Sequence, residues 1–373
     1  MVYLDYAANT PVDEEVLESF ACAARDYIGN PNSLHEPGRM AAKRMEQASE
    51  KIASLLKVKP TEIIYTSGAS ESNNLAIKGV ARAYRQKGKH IISTALEHSA
   101  VSGALNYLVG QGYEVDLLDI TQDGTVDLEH LKELLRPDTI LVSIGYVDSE
   151  LGVKQPIEEI AAILKEYPNC LFHTDATQAV GKIDVTVEGI DLMSFSPHKF
   201  FGLNGAGVLI KKEGVKLEPI IHGGASTSEY RSGTPVLSMA VATEKALELA
   251  YENLDKRYEY VTKLNQELRA GLQTIKEVRI NSTDQSIPFI LNLSVKGIKS
   301  EPMRAALEQE GYLVSPKSAC SVPHTPSRAV LAVSRDRKAA LSCIRISMSY
   351  RTTKEEIIGL VEAIKNVIAN TQK

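Results

Sequence analysis

Apolar and polar positions follow two different periods along this chain. Short apolar runs bounded by turn residues fall at Glu62–Thr66, His90–Ser93, Tyr113–Leu118, Thr139–Tyr146 and Leu171–Thr174. Between them, apolar residues recur every three or four positions at Glu71–Arg85, Ser99–Leu108, Leu128–Leu135 and Ile157–Lys165. The first pattern predicts strands and the second helices. Their alternation predicts an α/β fold, with a mainly parallel sheet covered by helices on both faces. Ahead of this region the sequence predicts an extended arm to Pro11, a helix capped by Asp13 and a long helix from about Pro37 to Leu56. After Pro235 the rhythm changes. A long helical segment from Val236 to Arg269 is followed by a strand at Ile287–Val295, a helix at Ser300–Gln309 and a strand at Ile344–Ser349. The last helix starts near Thr353 and buries Ile357, Leu360, Val361, Ile364 and Ile368. This predicts two domains: residues 15–255 form a large one, and residues 1–14 with 256–373 a smaller α+β one.

Composition narrows the classes. The 373 residues are 43% hydrophobic and 24% charged, with a net charge of −5. That is the balance of a soluble globular protein, without the basic excess that nucleic acid or an anionic membrane surface calls for. No apolar run approaches the roughly 20 residues of a membrane span. The opening residues show no charged-then-apolar export signal, so a cytoplasmic protein is expected. Four cysteines occur without a CxxC pair, which argues against a structural zinc site and suits a reducing compartment. Cys22, Cys170 and Cys343 read as small buried hydrophobes.

Chemistry concentrates around Lys199. Ser196-Pro197-His198-Lys199 lies between an apolar run and a glycine-rich one. Such a lysine is either a solvated loop residue or a nucleophile beside a cofactor. Upstream, the apolar run from Cys170 ends at Asp175, either a plain cap or an acid facing a ligand. An acid at a strand end followed by a lysine suggests pyridoxal phosphate (PLP): the lysine holds the aldehyde and the acid keeps the pyridine nitrogen protonated. Thr66-Ser67-Gly68-Ala69-Ser70 makes a strand-to-helix turn whose free N–H groups suit a phosphate, or simply cap a helix. His98 follows the next strand, where it starts a helix or lies over a bound ring.

Taken together these residues resemble the NifS/IscS-like cysteine desulfurases of the class V aminotransferase family. The resemblance runs nearly end to end, through Tyr3–Pro11, Thr66–Glu71, Asp175–Lys182, Ser196–Lys199, Arg231–Pro235 and Ser318-Ala319-Cys320. It implies a fold-type I PLP enzyme acting as a homodimer. It assigns Lys199 to the cofactor aldehyde, Asp175 to the ring nitrogen, His98 to ring stacking and Gln178 to the phenolic oxygen. Ala69, Ser70, Ser196 and His198 would hold the phosphate, and Thr234 would reach the phosphate of the other subunit. Cys320 resembles the nucleophile and Arg345 the binder of the substrate carboxylate. Lys317 is expected to favour the Cys320 thiolate.

The implied reaction takes sulfur from L-cysteine onto Cys320 as a persulfide, leaving alanine. The sulfur then passes to an acceptor protein, an iron–sulfur scaffold or a thiolation enzyme. A selenocysteine lyase, another PLP lyase and a PLP-binding partner module without activity are the alternatives. Departures from the family pattern are Asp148-Ser149 in place of two asparagines, Pro197, and Pro316-Lys317 before Ser318. Asp148 is expected to add negative charge beside a site for a carboxylate. The short tail after the last helix is expected to leave little for docking a scaffold.

Overall fold

Each apolar run of the first 211 residues supplies a strand to one twisted sheet. A computed structural model describes residues 1–371 apart from 225, 227 and 318–324. From the N-terminus come β1 (Val2–Tyr3), α1 (Glu14–Asp26), α2 (Glu36–Leu56), β2 (Ile63–Thr66), α3 (Ala69–Ala83), β3 (His90–Thr94), α4 (Ser99–Val109) and β4 (Glu114–Leu118). Next are α5 (Leu128–Leu134), β5 (Thr139–Ser143), α6 (Ile157–Leu164), β6 (Leu171–Asp175), β7 (Leu192–Phe195) and β8 (Gly207–Lys211). The sheet order is β2-β8-β7-β6-β5-β3-β4. All neighbours are parallel except β8, which runs antiparallel to both β2 and β7. β3, β5, β7 and β8 are buried at every position, as expected of strands covered on both faces.

The remaining elements are α7 (Leu237–Glu252), α8 (Leu254–Gln273), β9 (Val278–Ile280), β10 (Ile290–Val295), α9 (Ser300–Gln309), β11 (Tyr312–Leu313), α10 (Arg328–Ser334), α11 (Arg337–Leu341), β12 (Cys343–Ser347) and α12 (Lys354–Thr371). They include an antiparallel sheet, β12-β10-β9, with α12 packed through Ile357, Leu360, Val361, Ile364 and Ile368. The long helical segment expected after Pro235 is two helices. Asn253 leaves helical geometry at φ −125° and separates α7 from α8. The periodicity runs through this break because both helices keep an apolar face.

The N-terminal arm joins the two sheets. β1 pairs with β11, and Leu4 accepts from the Ser347 N–H of β12. Farther along, Ala7 N–H donates to Ser347 Oγ at 2.9 Å, and Thr10 N–H and Oγ both donate to the His198 carbonyl. The arm therefore crosses the carboxyl ends of the large sheet, where ligands of open α/β sheets gather. Cys170 and Cys343 are buried, as expected, but Cys22 is not. It sits half-exposed on α1 between Glu18 and Arg25, because the buried face of that helix carries Val16 and Ala23 instead. Among the described residues no helix is long and apolar enough to cross a membrane.

Candidate active site

A cavity of about 360 Å³ opens at the carboxyl end of the sheet, a size suited to a small cofactor. Its wall brings together Ala69, Ser70, His98, Asp175, Gln178, His198, Lys199 and Arg345. Eight residues singled out from sequence thus share one space. Ser196 and Thr234 do not line it. Ser196 is buried behind His198, and Thr234 lies exposed in the loop before α7. Cys320 lies outside the described residues. Those flanking that segment meet: Lys317 is buried and its Nζ donates to Thr325 Oγ and carbonyl at 2.8 and 2.9 Å.

Lys199 ends a short helical turn after β7, opened by Pro197. Its Nζ donates to the Ala7 and Ala8 carbonyls at 2.9 and 2.5 Å. The arm thereby holds the amine at the mouth of the sheet. Asp175 ends β6, and both of its oxygens accept: Oδ2 from Asn73 Nδ2 at 2.7 Å, Oδ1 from the Thr177 N–H at 3.0 Å. Asn73, on the buried face of α3, was not read as a site residue. Two residues before Asp175, buried His173 bridges Ser143 and Ser194. Burial drops its pKa to about 4, so the ring is neutral at physiological pH.

At the other end of the cavity α3 begins without a side-chain cap, at Gly68. The first turn of this 15-residue helix leaves N–H groups without intrahelical partners, pointing at the cavity with the positive end of the dipole. β8 packs tightly beneath: a Cβ on Gly207 would lie 2.4 Å from the Gly68 carbonyl carbon, so only glycine fits there. His198 Nδ1 meets Ser196 Oγ, whose own proton goes to the Ala206 carbonyl. Nδ1 is therefore the donor. His98 caps α4, and its Nδ1 accepts from the Ala100 N–H, which leaves the proton on Nε2. Burial lowers its pKa further, with Asp175 opposing and Lys199 assisting.

Arg345 is 1% exposed. Its Nη2 donates to Asp5 Oδ1 at 2.8 Å and its Nη1 to the Ser149 carbonyl at 2.9 Å, while Nε has no partner. A guanidinium carries five donors; with two bonded and Nε sealed off, one hydrogen on each Nη remains for a carboxylate in the cavity. Asp5, 340 residues earlier, holds the group in place and is itself fixed by Ser315 Oγ. It stood inside a matched stretch, but nothing in its own neighbourhood pointed to Arg345.

Two further carboxyls face the cavity. Burial pushes Glu97 up to about 8, although Thr94 Oγ and the Gly145 N–H donate to it. Burial, then the neighbouring Glu150, push Asp148 up to about 7. Its Oδ2 accepts from the N–H groups of Glu150 and Leu151, and its Oδ1 has no partner. The negative charge expected at Asp148 is therefore only partly present at neutral pH. An unfolded Asp148 ionises near pH 4, so between about pH 4 and pH 7 the folded state holds the extra proton and stability falls as pH rises. Asp148→Asn is expected to raise the melting temperature at pH 8, by up to a few kcal/mol of stability, and to change little at pH 4. Thermal melts of both proteins across that range check this.

These features fit PLP. The helix terminus and Ser70 suit a phosphate, Asp175 a pyridinium N–H and Lys199 an aldehyde. Burial keeps the His198 ring neutral with its proton on Nδ1, so it serves a phosphate only once the dianion draws a second proton onto Nε2.

The family model for class-V aminotransferases matches residues 2–360. Cysteine desulfurase IscS of Dictyoglomus turgidum is 40% identical over 372 residues, which cover 98% of this chain and 94% of that protein. A solved NifS-like protein has a TM-score of 0.92 at 35% identity, with 99% of each chain covered. SspA in complex with cysteine has a TM-score of 0.82 at 32% identity, covering 95% of this chain and 100% of that one.

Proposed function

Since the chain belongs to the class V aminotransferase family and its function is cysteine desulfuration, we propose that sulfur leaves L-cysteine as a persulfide on Cys320, with alanine as the other product. The observation that carries this reading is the shared cavity. Its lining offers an amine, an acid, a phosphate cradle and a buried arginine for the substrate carboxylate.

Lys199 would hold PLP covalently, with Asp175 at the ring nitrogen, His98 over the ring and Gln178 at the phenolic oxygen. The first turn of α3, with Ala69, Ser70 and His198, would hold the phosphate. Ser196 would act there through its bond to His198. When bound, the cofactor supplies an electron sink for charge developing at the substrate α-carbon. Lys199 Nζ, once released, moves the proton at that carbon. Arg345 orients the amino acid by its carboxylate. Cys320 attacks as a thiolate: its Sγ bonds to the substrate sulfur, the carbon–sulfur bond breaks, and the carbon keeps the electron pair and takes a proton to give alanine. The persulfide then passes to an acceptor, an iron–sulfur scaffold or a thiolation enzyme.

Arg345→Met removes the carboxylate partner and leaves half-buried Asp5 against an apolar side chain. A charge-assisted pair contributes about 1.5–3 kcal/mol, so KM for cysteine is expected to rise by one to two orders of magnitude. Steady-state kinetics on cofactor-loaded protein measure it.

A homodimer is part of this reading. Ile28, Leu34, Met40 and Val236 are more than half exposed, an unusual set of apolar side chains to leave in water. Thr234 precedes Val236 on the same exposed loop, which suits a contact with the phosphate of a second subunit's cofactor. We keep the division into residues 15–255 and residues 1–14 with 256–373. The break at Asn253 and the pairing of β1 with β11 support it. The cytoplasm, where thiols stay reduced, is the compartment this chemistry suits.

The test of the function is a competition between cysteine and selenocysteine on PLP-loaded protein, reading alanine and the released sulfur or selenium. Alanine and sulfide in equal amounts, with cysteine preferred, support desulfuration of cysteine. Turnover of selenocysteine alone would show a selenocysteine lyase instead.

A further inference from the structure

A second lysine is buried directly behind the cavity. After β6 the chain folds into consecutive turns, with Val180 N–H bonded to Ala176 and Ile183 N–H to Ala179. Residues four apart therefore stack, and Lys182 lies over Gln178. Lys182 is 7% exposed, and its Nζ donates to Gln178 Oε1 at 2.5 Å. Among the described residues no carboxylate pairs with it. Burying an amine without an acid costs several kcal/mol, and a methionine would fill the same space without that cost.

Its use lies in what it does to the glutamine. An amide can turn either edge to a neighbour, and only its partners decide which. Lys182 offers N–H groups, so Gln178 Oε1 faces it. On the other side the Ala7 carbonyl can only accept, and it takes Gln178 Nε2 at 2.9 Å. The same carbonyl accepts from Lys199 Nζ at 2.9 Å. Gln178 is thus held at both edges, with its NH2 group next to the anchoring lysine and on the cavity wall.

We infer that Lys182 is a positioning residue for the cofactor site: it locks the Gln178 amide so that its N–H groups, and not its oxygen, face the phenolic oxygen of a bound ring. The inference rests on the proposal that PLP is held at Lys199. Burial, then the nearby Lys199 and Arg345, push the Lys182 pKa well down; the geometry of its bond to Gln178 Oε1 is what carries the inference. Without it one of the two restraints on the amide is lost, and only the Ala7 carbonyl still opposes a flip that presents oxygen to an oxygen anion.

The experiment uses full-length protein loaded with PLP and four variants: Lys182→Met, Lys182→Gln, Gln178→Ala, and Gln178→Ala with Lys182→Met. Two quantities are read: the dissociation constant for PLP, and the pH midpoint of the visible absorbance of the bound cofactor. A lost hydrogen bond to a charged oxygen is about one pH unit, or tenfold in affinity. Lys182→Met is expected to weaken PLP binding about tenfold and to raise the midpoint by about one unit. The proton shared between Lys199 Nζ and the cofactor is then held to higher pH. In the Gln178→Ala background the same change is expected to shift neither quantity further, since no amide is left to orient. Lys182→Gln keeps a donor and is expected to stay within about threefold of the parent.

Equal shifts in both backgrounds would overturn the inference. So would a Lys182→Met protein that matches the parent, or a Lys182→Gln protein as impaired as Lys182→Met. That last comparison still decides the matter if either Gln178→Ala protein fails to fold. If Lys182→Met fails to fold, Lys182→Gln against the parent decides it, a loss beyond about threefold overturning the inference. Parent protein that takes up no PLP would instead overturn the cofactor reading, and this inference with it.

Discussion

Lys199→Ala is expected to give a folded protein that no longer retains PLP through desalting and forms alanine from cysteine at least 10³-fold more slowly. Two roles are lost together, the covalent anchor and the base at the α-carbon, and a positioned base alone contributes about 10²–10⁴-fold. The fold should survive because backbone contacts pin this segment. Thr10 holds the His198 carbonyl and the Phe201 N–H, and Gly202 N–H returns to the Pro197 carbonyl. The side chain bonds to the Ala7 and Ala8 carbonyls, and water can replace it there. Visible absorbance before and after desalting, with alanine measured on the same samples, checks both halves. A variant that keeps its colour and its rate would place the anchor elsewhere.

Cys320→Ala is the second large effect. Sulfide release from cysteine is expected to fall by about 10²–10³-fold, with PLP loading unchanged, because no thiolate is left to take the sulfur. The other cysteines are poor substitutes. Burial pushes Cys170 and Cys343 up to about 12, so almost none of either is thiolate at neutral pH. Cys22 does not line the cavity, and its hydrogen bond to Glu18 raises its pKa as well. Sulfide assay on the desalted, coloured variant separates a lost nucleophile from a lost cofactor. An unchanged rate would remove Cys320 from the mechanism.

The legible parts of this molecule were those whose signals are local. Strands such as β3 and β5, apolar at their centres and bounded by turns, stood out from the sequence. So did Lys199, Asp175 and the turn before α3, because each sits at a strand end among unusual neighbours. β8 was missed, since its apolar residues follow directly on Gly205 and Gly207 and read as part of a loop. Its direction also could not be read, as strand polarity is set by the partner and not by the residues. The break at Asn253 was hidden because periodicity continues across it.

What the sequence did not show was mostly long-range. Asp5 orients Arg345 across 340 residues, and Asn73 holds Asp175 across 102. Those pairings exist only once the arm has crossed the sheet and α3 has packed on it. Asp148 shows a different limit. Its charge was readable, but its ionisation was not, because burial and Glu150 together decide whether the proton stays. Cys22 was misread because a helical pattern reveals a face only when both sides are counted.

The most direct measurement is mass spectrometry of peptides from PLP-loaded protein exposed briefly to L-cysteine, without reductant. The expected result is one added sulfur atom on the peptide carrying Cys320, matched by one alanine released per sulfur bound. Alanine formed while Cys320 stays unmodified, or sulfur found on Cys22, Cys170 or Cys343 in its place, would contradict it.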